Sequence, residues 1–196
     1  MTIGILLCGD FSATLQAEFG SYSSMVRKLL GSRSATVFDV RERQLPRSIS
    51  ACEAYVITGS SAGVYDDLPW IKDLMAFLRN ARGGAKLIGI CFGHQVIGIM
   101  HGASIYRGPE IREEHPIHIL KKDPLFGGFE DGVSMTEDHT EGITLPEGFI
   151  HLASSTSYPN EAMKHPSQKI WGVQFHPEVS GDKGLELFRN FCTHCV

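Results

Sequence analysis

The chain of 196 residues has no apolar stretch long enough to cross a bilayer. A membrane helix needs about 18 consecutive apolar residues, whereas VITGSSAGV and KLIGICFG are short and broken by glycine. It also lacks any block of basic residues. Eighteen Lys and Arg against 22 Asp and Glu give a formal net charge of -4 and a pI near 6.1, so neither a nucleic acid nor a membrane surface is an expected partner. The five cysteines, at 8, 52, 91, 192 and 195, form an odd set without the spacing of a secreted framework, which excludes a disulfide scaffold. The start, MTIGILLCGD, has no basic lead, long apolar core or small-residue cleavage site, and it reads as a first strand of a cytoplasmic protein. There is no internal repeat, low-complexity segment or linker, so one domain over residues 1–196 is expected.

What is present alternates. Apolar, β-branched runs at 2–7, 35–40, 54–58, 86–90 and 170–175 predict strands. Three- and four-residue spacing predicts helices over 22–30, closed by Gly31, over 68–82, closed by Gly83-Gly84, and over 183–195. Parallel strands need crossover connections, so this order predicts an α/β fold with an open, mostly parallel sheet flanked by helices. Between 103 and 154 the pattern changes to short apolar runs at 117–120, 133–135 and 149–153, separated by Gly and Pro, which predicts a strand-rich stretch without long helices.

Two motifs carry chemistry. The first, Gly89-Ile90-Cys91-Phe92-Gly93, puts a cysteine directly after a buried strand and before a helix. The glycines at both second neighbours suit a sharp nucleophile elbow, where side chains would crowd the adjoining strand and helix. The thiol then stands at the C-terminal end of the strand, where α/β sheets bind ligands, and the helix N-terminus favours thiolate. The Phe92 N–H can donate to an oxyanion, with a second donor expected from the small-residue loop starting at Gly59.

The second motif is Gln174-Phe175-His176-Pro177-Glu178, at the end of the last expected strand. Pro177 biases His176 towards an extended conformation. Glu178, two residues on, can face the same side of an extended segment and orient one ring nitrogen while the other takes the thiol proton.

Together, GICFGHQ and GVQFHPE resemble the two signatures of the class I, or triad, glutamine amidotransferase domain, in that family's order and over nearly the whole chain. The resemblance implies Cys91 as nucleophile, His176 as general base and acid, and Glu178 as the residue orienting it. It further implies Gly59 and Phe92 at the oxyanion hole, Gln95 beside the substrate, and no metal or organic cofactor. ITGSSAGVYDDLPWI and LPEGFIHLASS are similar to the GMP-synthase-like, stand-alone branch, which includes γ-glutamyl peptidases. That branch carries a His-x-Asp motif where this chain has Glu137-Asp138-His139-Thr140-Glu141.

The implied substrate is a small γ-glutamyl compound, and the leaving group separates two roles. If ammonia leaves glutamine, a separate synthetase or acceptor subunit is expected, because 196 residues leave no room for that domain. If an amino acid or peptide leaves, the protein is a γ-glutamyl hydrolase that works alone. A third possibility is a non-catalytic protein on the same scaffold whose elbow cysteine senses oxidants, and the intact His176-Pro177-Glu178 argues against it. Cys192-x-x-Cys195 lacks a second ligand pair and reads as a helix tail. His115, His118 and His139, with Glu113, Glu114 and Asp138, match no metal-ligand spacing.

Overall fold

The computed structural model describes residues 2–11, 16–17, 20–80 and 84–195. In chain order the strands are β1 (Thr2–Leu7), β2 (Ser34–Asp39), β3 (Ala54–Ile57), β4 (Lys86–Ile90), β5 (Ile105–Ile111), β6 (Glu114–Ile119), β7 (Val133–Thr136), β8 (His139–Ile143), β9 (Ile150–Ser154), β10 (Ala162–Lys164) and β11 (Ile170–Val173). The helices are α1 (Tyr22–Leu30), α2 (Pro69–Arg79), α3 (Phe92–Met100) and α4 (Gly181–Asn190), the last continuing into a π-helical turn over Phe191–Cys195.

Nine strands form one sheet in the order β2-β1-β3-β4-β11-β10-β9-β6-β7. The first five are mutually parallel, and every pairing from β11 outward is antiparallel. β5 and β8 pair separately as an antiparallel ribbon.

The parallel half is covered on both faces, as its continuous apolar runs require. Ile3, Ile5 and Leu7 of β1 join Val26 and Leu30 of α1 and Phe188 of α4 in one core. Leu6, on the opposite pleat, joins Leu74 and Leu78 of α2 and Val96 and Ile97 of α3 in the other. α1 is capped by Ser21, whose side chain accepts the Ser24 N–H, and α2 carries Pro69 in its first turn, where no intrahelical N–H is needed.

Several boundaries differ from the sequence reading for physical reasons. The last strand stops at Val173; Gln174 keeps one cross-strand bond, its N–H donating to the Glu161 carbonyl at 2.8 Å, before the buried chain swings towards β7. The second strand ends at Asp39, whose side chain accepts the Arg41 N–H and starts a short 3-10 turn. The expected helix over 68–82 runs to Arg79, and residues 81–83, including Gly83, lie outside the described residues. The closing helix begins two residues early, at Gly181. Its end is no frayed tail, since Cys192 and Cys195 are buried in the first core.

The runs at 117–120, 133–135 and 149–153 became β6, β7 and β9. The described residues hold no membrane-length apolar helix.

Candidate active site

β4 delivers Cys91 to the C-terminal edge of the sheet, and α3 begins one residue later. To make that corner Cys91 adopts φ 48° and ψ -103°, a left-handed value that side chains resist. The surroundings fix it there: its N–H donates to the Val173 carbonyl at 2.9 Å and its carbonyl accepts the Gln95 N–H at 3.0 Å. The flanking glycines are steric necessities. A Cβ on Gly89 would lie 2.6 Å from the His94 amide nitrogen and nearer still to the Gly93 carbonyl, and one on Gly93 would lie 2.9 Å from Ile57 Cβ.

β11, the neighbour of β4, delivers the second group. The His176 N–H donates to the Thr136 carbonyl at 2.8 Å, tying the segment after β11 to β7. Glu178 does not lie on an extended segment; Pro177–Val179 form a 3-10 turn. The turn still brings Glu178 round, and His176 Nδ1 meets Glu178 Oε1 at 2.6 Å. The other ring nitrogen is not taken by Glu178, and Cys91 lies close enough for its charge to act on the imidazole. Burial works against the imidazolium, but the charges of Glu178 and Cys91 outweigh it and hold His176 well above the usual histidine range.

Gly59 lies against both groups. A Cβ there would sit 3.0 Å from His176 Cε1 and 3.6 Å from Cys91 Cβ. Its N–H points elsewhere, donating to the Tyr22 hydroxyl at 2.7 Å. The next residue, Ser60, lines the cavity. Phe92 is buried against Trp70, and its N–H belongs to the first turn of α3, where no intrahelical acceptor exists. Gln95 is buried and also lines the cavity; its Nε2 donates to the Glu141 carbonyl at 3.1 Å and, more weakly, to Gln174 Oε1 at 3.4 Å.

The cavity holds about 640 Å³, with Cys91 and His176 in its wall. The loop from Ser60 to Gly63 lines it, as do residues 138–141. Asp10, Asp66, Asp138 and Glu141 make the lining acidic, and among the described residues Arg112 is its one Arg or Lys.

His139 connects this cavity to a buried polar cluster. Its Nδ1–H donates to the Glu141 carbonyl at 3.0 Å, and Nε2 meets Glu137 Oε2 at 2.7 Å. A carbonyl only accepts, so the contact with Glu137 needs a second proton, on the ring or on the carboxylate. Glu161 lies close by with Ser155 Oγ donating to it at 2.7 Å; burial first, and then the Glu137 charge, push its carboxyl up to about 8. Among the described residues, Glu137, His139 and Glu161 form the only set of donor atoms close enough to share an ion, while His115 and His118 lie outside it. All five cysteines are free.

The sequence motifs did not point to Tyr22 or Glu161, and Glu137 entered only within the segment that replaces a His-x-Asp motif. Tyr22 lies on the apolar stripe of α1, and nothing in its spacing ties it to Glu178, 156 residues away. Glu137 and Glu161 sit in polar segments where carboxylates are ordinarily solvated.

Comparison with known proteins agrees with this architecture. The sequence profile of the family "Glutamine amidotransferase class-I" matches residues 16–195. A glutamine-hydrolyzing GMP synthase subunit of Methanosarcina barkeri is 40% identical over 112 residues, covering 56% of this chain and 59% of that protein. A glutamine-hydrolyzing GMP synthase of Porphyromonas gingivalis is 34% identical over 158 residues, covering 78% of this chain and 30% of the relative. The match thus spans about three-fifths of the first relative and under a third of the second. The crystal structure of a glutamine amidotransferase from Thermotoga maritima superposes with a TM-score of 0.75 at 20% identity, over 97% of this chain and 81% of the other, a likeness of fold. The chain belongs to the class I glutamine amidotransferase family, a family of enzymes.

Proposed function

We propose that residues 1–196 act as one glutaminase-type domain that hydrolyses the γ-carboxamide of glutamine through a Cys91–His176–Glu178 triad. The observation that carries this reading is that Cys91 and His176 share a cavity wall while Glu178, behind them, holds the His176 ring at 2.6 Å. In the reaction the Cys91 thiolate forms a bond to the γ-carbon, and the carbonyl π pair moves onto oxygen. The Phe92 N–H donates to that oxyanion. With the Gly59 N–H engaged by Tyr22, the loop's own donor is the next amide, that of Ser60. As the C–N bond breaks, His176 gives its proton to the departing nitrogen, leaving a γ-glutamyl thioester. Water, deprotonated by His176, then displaces the thiolate and releases glutamate. Gln95 borders the bound substrate, and the acidic lining suits its α-ammonium group. The steps need neither a metal nor an organic cofactor.

In this reading ammonia passes to a separate synthetase subunit, and neither a nucleic acid nor a membrane is a partner in a cytoplasmic setting. The subunit naming of the Methanosarcina relative and the small share of the Porphyromonas relative that the match covers support such a partner. The size of the cavity favours a second reading: about 640 Å³ accommodates ligands well beyond glutamine, such as a γ-glutamyl peptide. Glutamate release by the purified protein from glutamine, glutathione and γ-glutamyl dipeptides separates the two. Glutamine-selective turnover, rising when a synthetase is supplied, is expected; turnover of the peptides alone would overturn the first reading in favour of the second.

A further inference from the structure

Tyr22 stands at the crossing of two hydrogen bonds, one to the triad carboxylate and one from the Gly59 loop. Its hydroxyl donates to Glu178 Oε1 at 2.6 Å and accepts the Gly59 N–H at 2.7 Å. Glu178 Oε1 therefore receives two donors, Tyr22 and His176, while its Oε2 is buried without a partner. Among the described residues, all the hydrogen bonding that orients this carboxylate converges on one oxygen, and half of it comes from Tyr22. The ring is itself held, 2% exposed, with its centroid 4.3 Å from that of Phe11, which also packs on His176 at 5.6 Å.

From this arrangement we infer that Tyr22 is a positioning residue: its hydroxyl fixes the rotation of Glu178, hence the direction of His176 towards Cys91, and locks the Gly59 loop to the same point. The inference rests on the triad reading. Without the hydroxyl the carboxylate can turn its unpartnered oxygen inward, and the imidazole loses its bearing on the thiol. A role confined to packing would instead reside in the ring, which phenylalanine retains.

The test needs no substrate. Alkylation of Cys91 by iodoacetamide, followed by peptide mass spectrometry from pH 5 to 10, reads how far His176 activates the thiol. In the unaltered protein Cys91 is expected to be alkylated at neutral pH faster than an ordinary thiol. In Tyr22→Phe its rate at neutral pH is expected to fall about tenfold and its profile to move to higher pH, as loss of a hydrogen bond to a charged group implies. In Glu178→Gln the same Tyr22→Phe change is expected to add little, because its effect runs through the carboxylate. A Tyr22→Phe profile superimposable on that of the unaltered protein would overturn the inference and leave the triad standing. An unaltered Cys91 that reacts like an ordinary thiol would overturn the triad reading and this inference together. In the unsubstituted protein the Tyr22 hydroxyl proton is expected to exchange slowly and to resonate downfield by NMR; fast exchange would count against the bridge whatever the variant does.

Discussion

The two halves of the sheet differ in how they hold their polar residues. On the parallel side, β2-β1-β3-β4-β11, the strands are packed between helices, and the polar groups that matter stand at the C-terminal ends, with Cys91 after β4 and His176 just beyond β11. On the antiparallel side, fully buried carboxylates are built into the strands' own connections, with Glu137 between β7 and β8 and Glu161 just before β10. The first arrangement exposes reactive groups to a cavity, and the second hides acidic groups behind its wall. Strand β11 belongs to both, pairing with β4 on one side and β10 on the other, so the candidate active site lies on the seam. The contrast suggests that changes on the parallel side stop the chemistry or the fold, whereas changes on the antiparallel side retune stability and pH response.

The sharpest way to break that division is at Cys91. Cys91→Ala is expected to lower glutamate release by more than about 10³-fold with the fold intact, as removal of a covalent nucleophile does. Activity surviving in that variant would remove the parallel edge from the mechanism.

A pair of glycines tests the packing side. Gly93→Ala drives a methyl against Ile57 and should cost about 3 kcal/mol as overpacking. Gly132→Ala, near β7, meets nothing within 4 Å and should lose only about 1 kcal/mol from its positive φ of 78°. Equal shifts in melting temperature would erase the contrast.

The buried acid gives a smaller, pH-dependent effect. Because Glu161 is raised from its usual 4.5 to about 8, the folded chain binds a proton that the unfolded chain has released between those values. Its contribution is therefore present below about pH 4.5 and is lost as pH rises towards 8. Glu161→Gln, which cannot ionise, should flatten that decline by about 2 kcal/mol between pH 6 and 9 in denaturant titrations. An unchanged slope would show that Glu161 is not the group responsible.

The parallel half was also the more fully readable of the two. β1 and β4 fall where their apolar runs place them, and β3 one residue shorter, because strands buried on both faces cannot hide their composition. The motif residues were equally visible, since the elbow needs its glycines and His176 its proline. Beyond it, β6, β7 and β9 were legible as short apolar runs, whereas the β5–β8 ribbon and β10 resisted for the converse reason. β5 contains Gly108 and Pro109, β8 runs through Thr140, Glu141 and Gly142, and β10 has only three residues. These segments are strands because of what they pair with, and no local pattern carries that information. Tyr22 was legible only as the start of the helix over 22–30, and its hydroxyl partner follows from tertiary placement alone.

One feature of the elbow sets folding against function. Cys91 occupies a backbone conformation that glycine would enter at far less cost, so the nucleophile is mounted where its own side chain destabilises the chain. Cys91→Gly should accordingly melt at a higher temperature than Cys91→Ala, although the two are equally inert. The difference between those melting temperatures measures what this protein gives up in thermal robustness to keep a reactive sulfur at its turn.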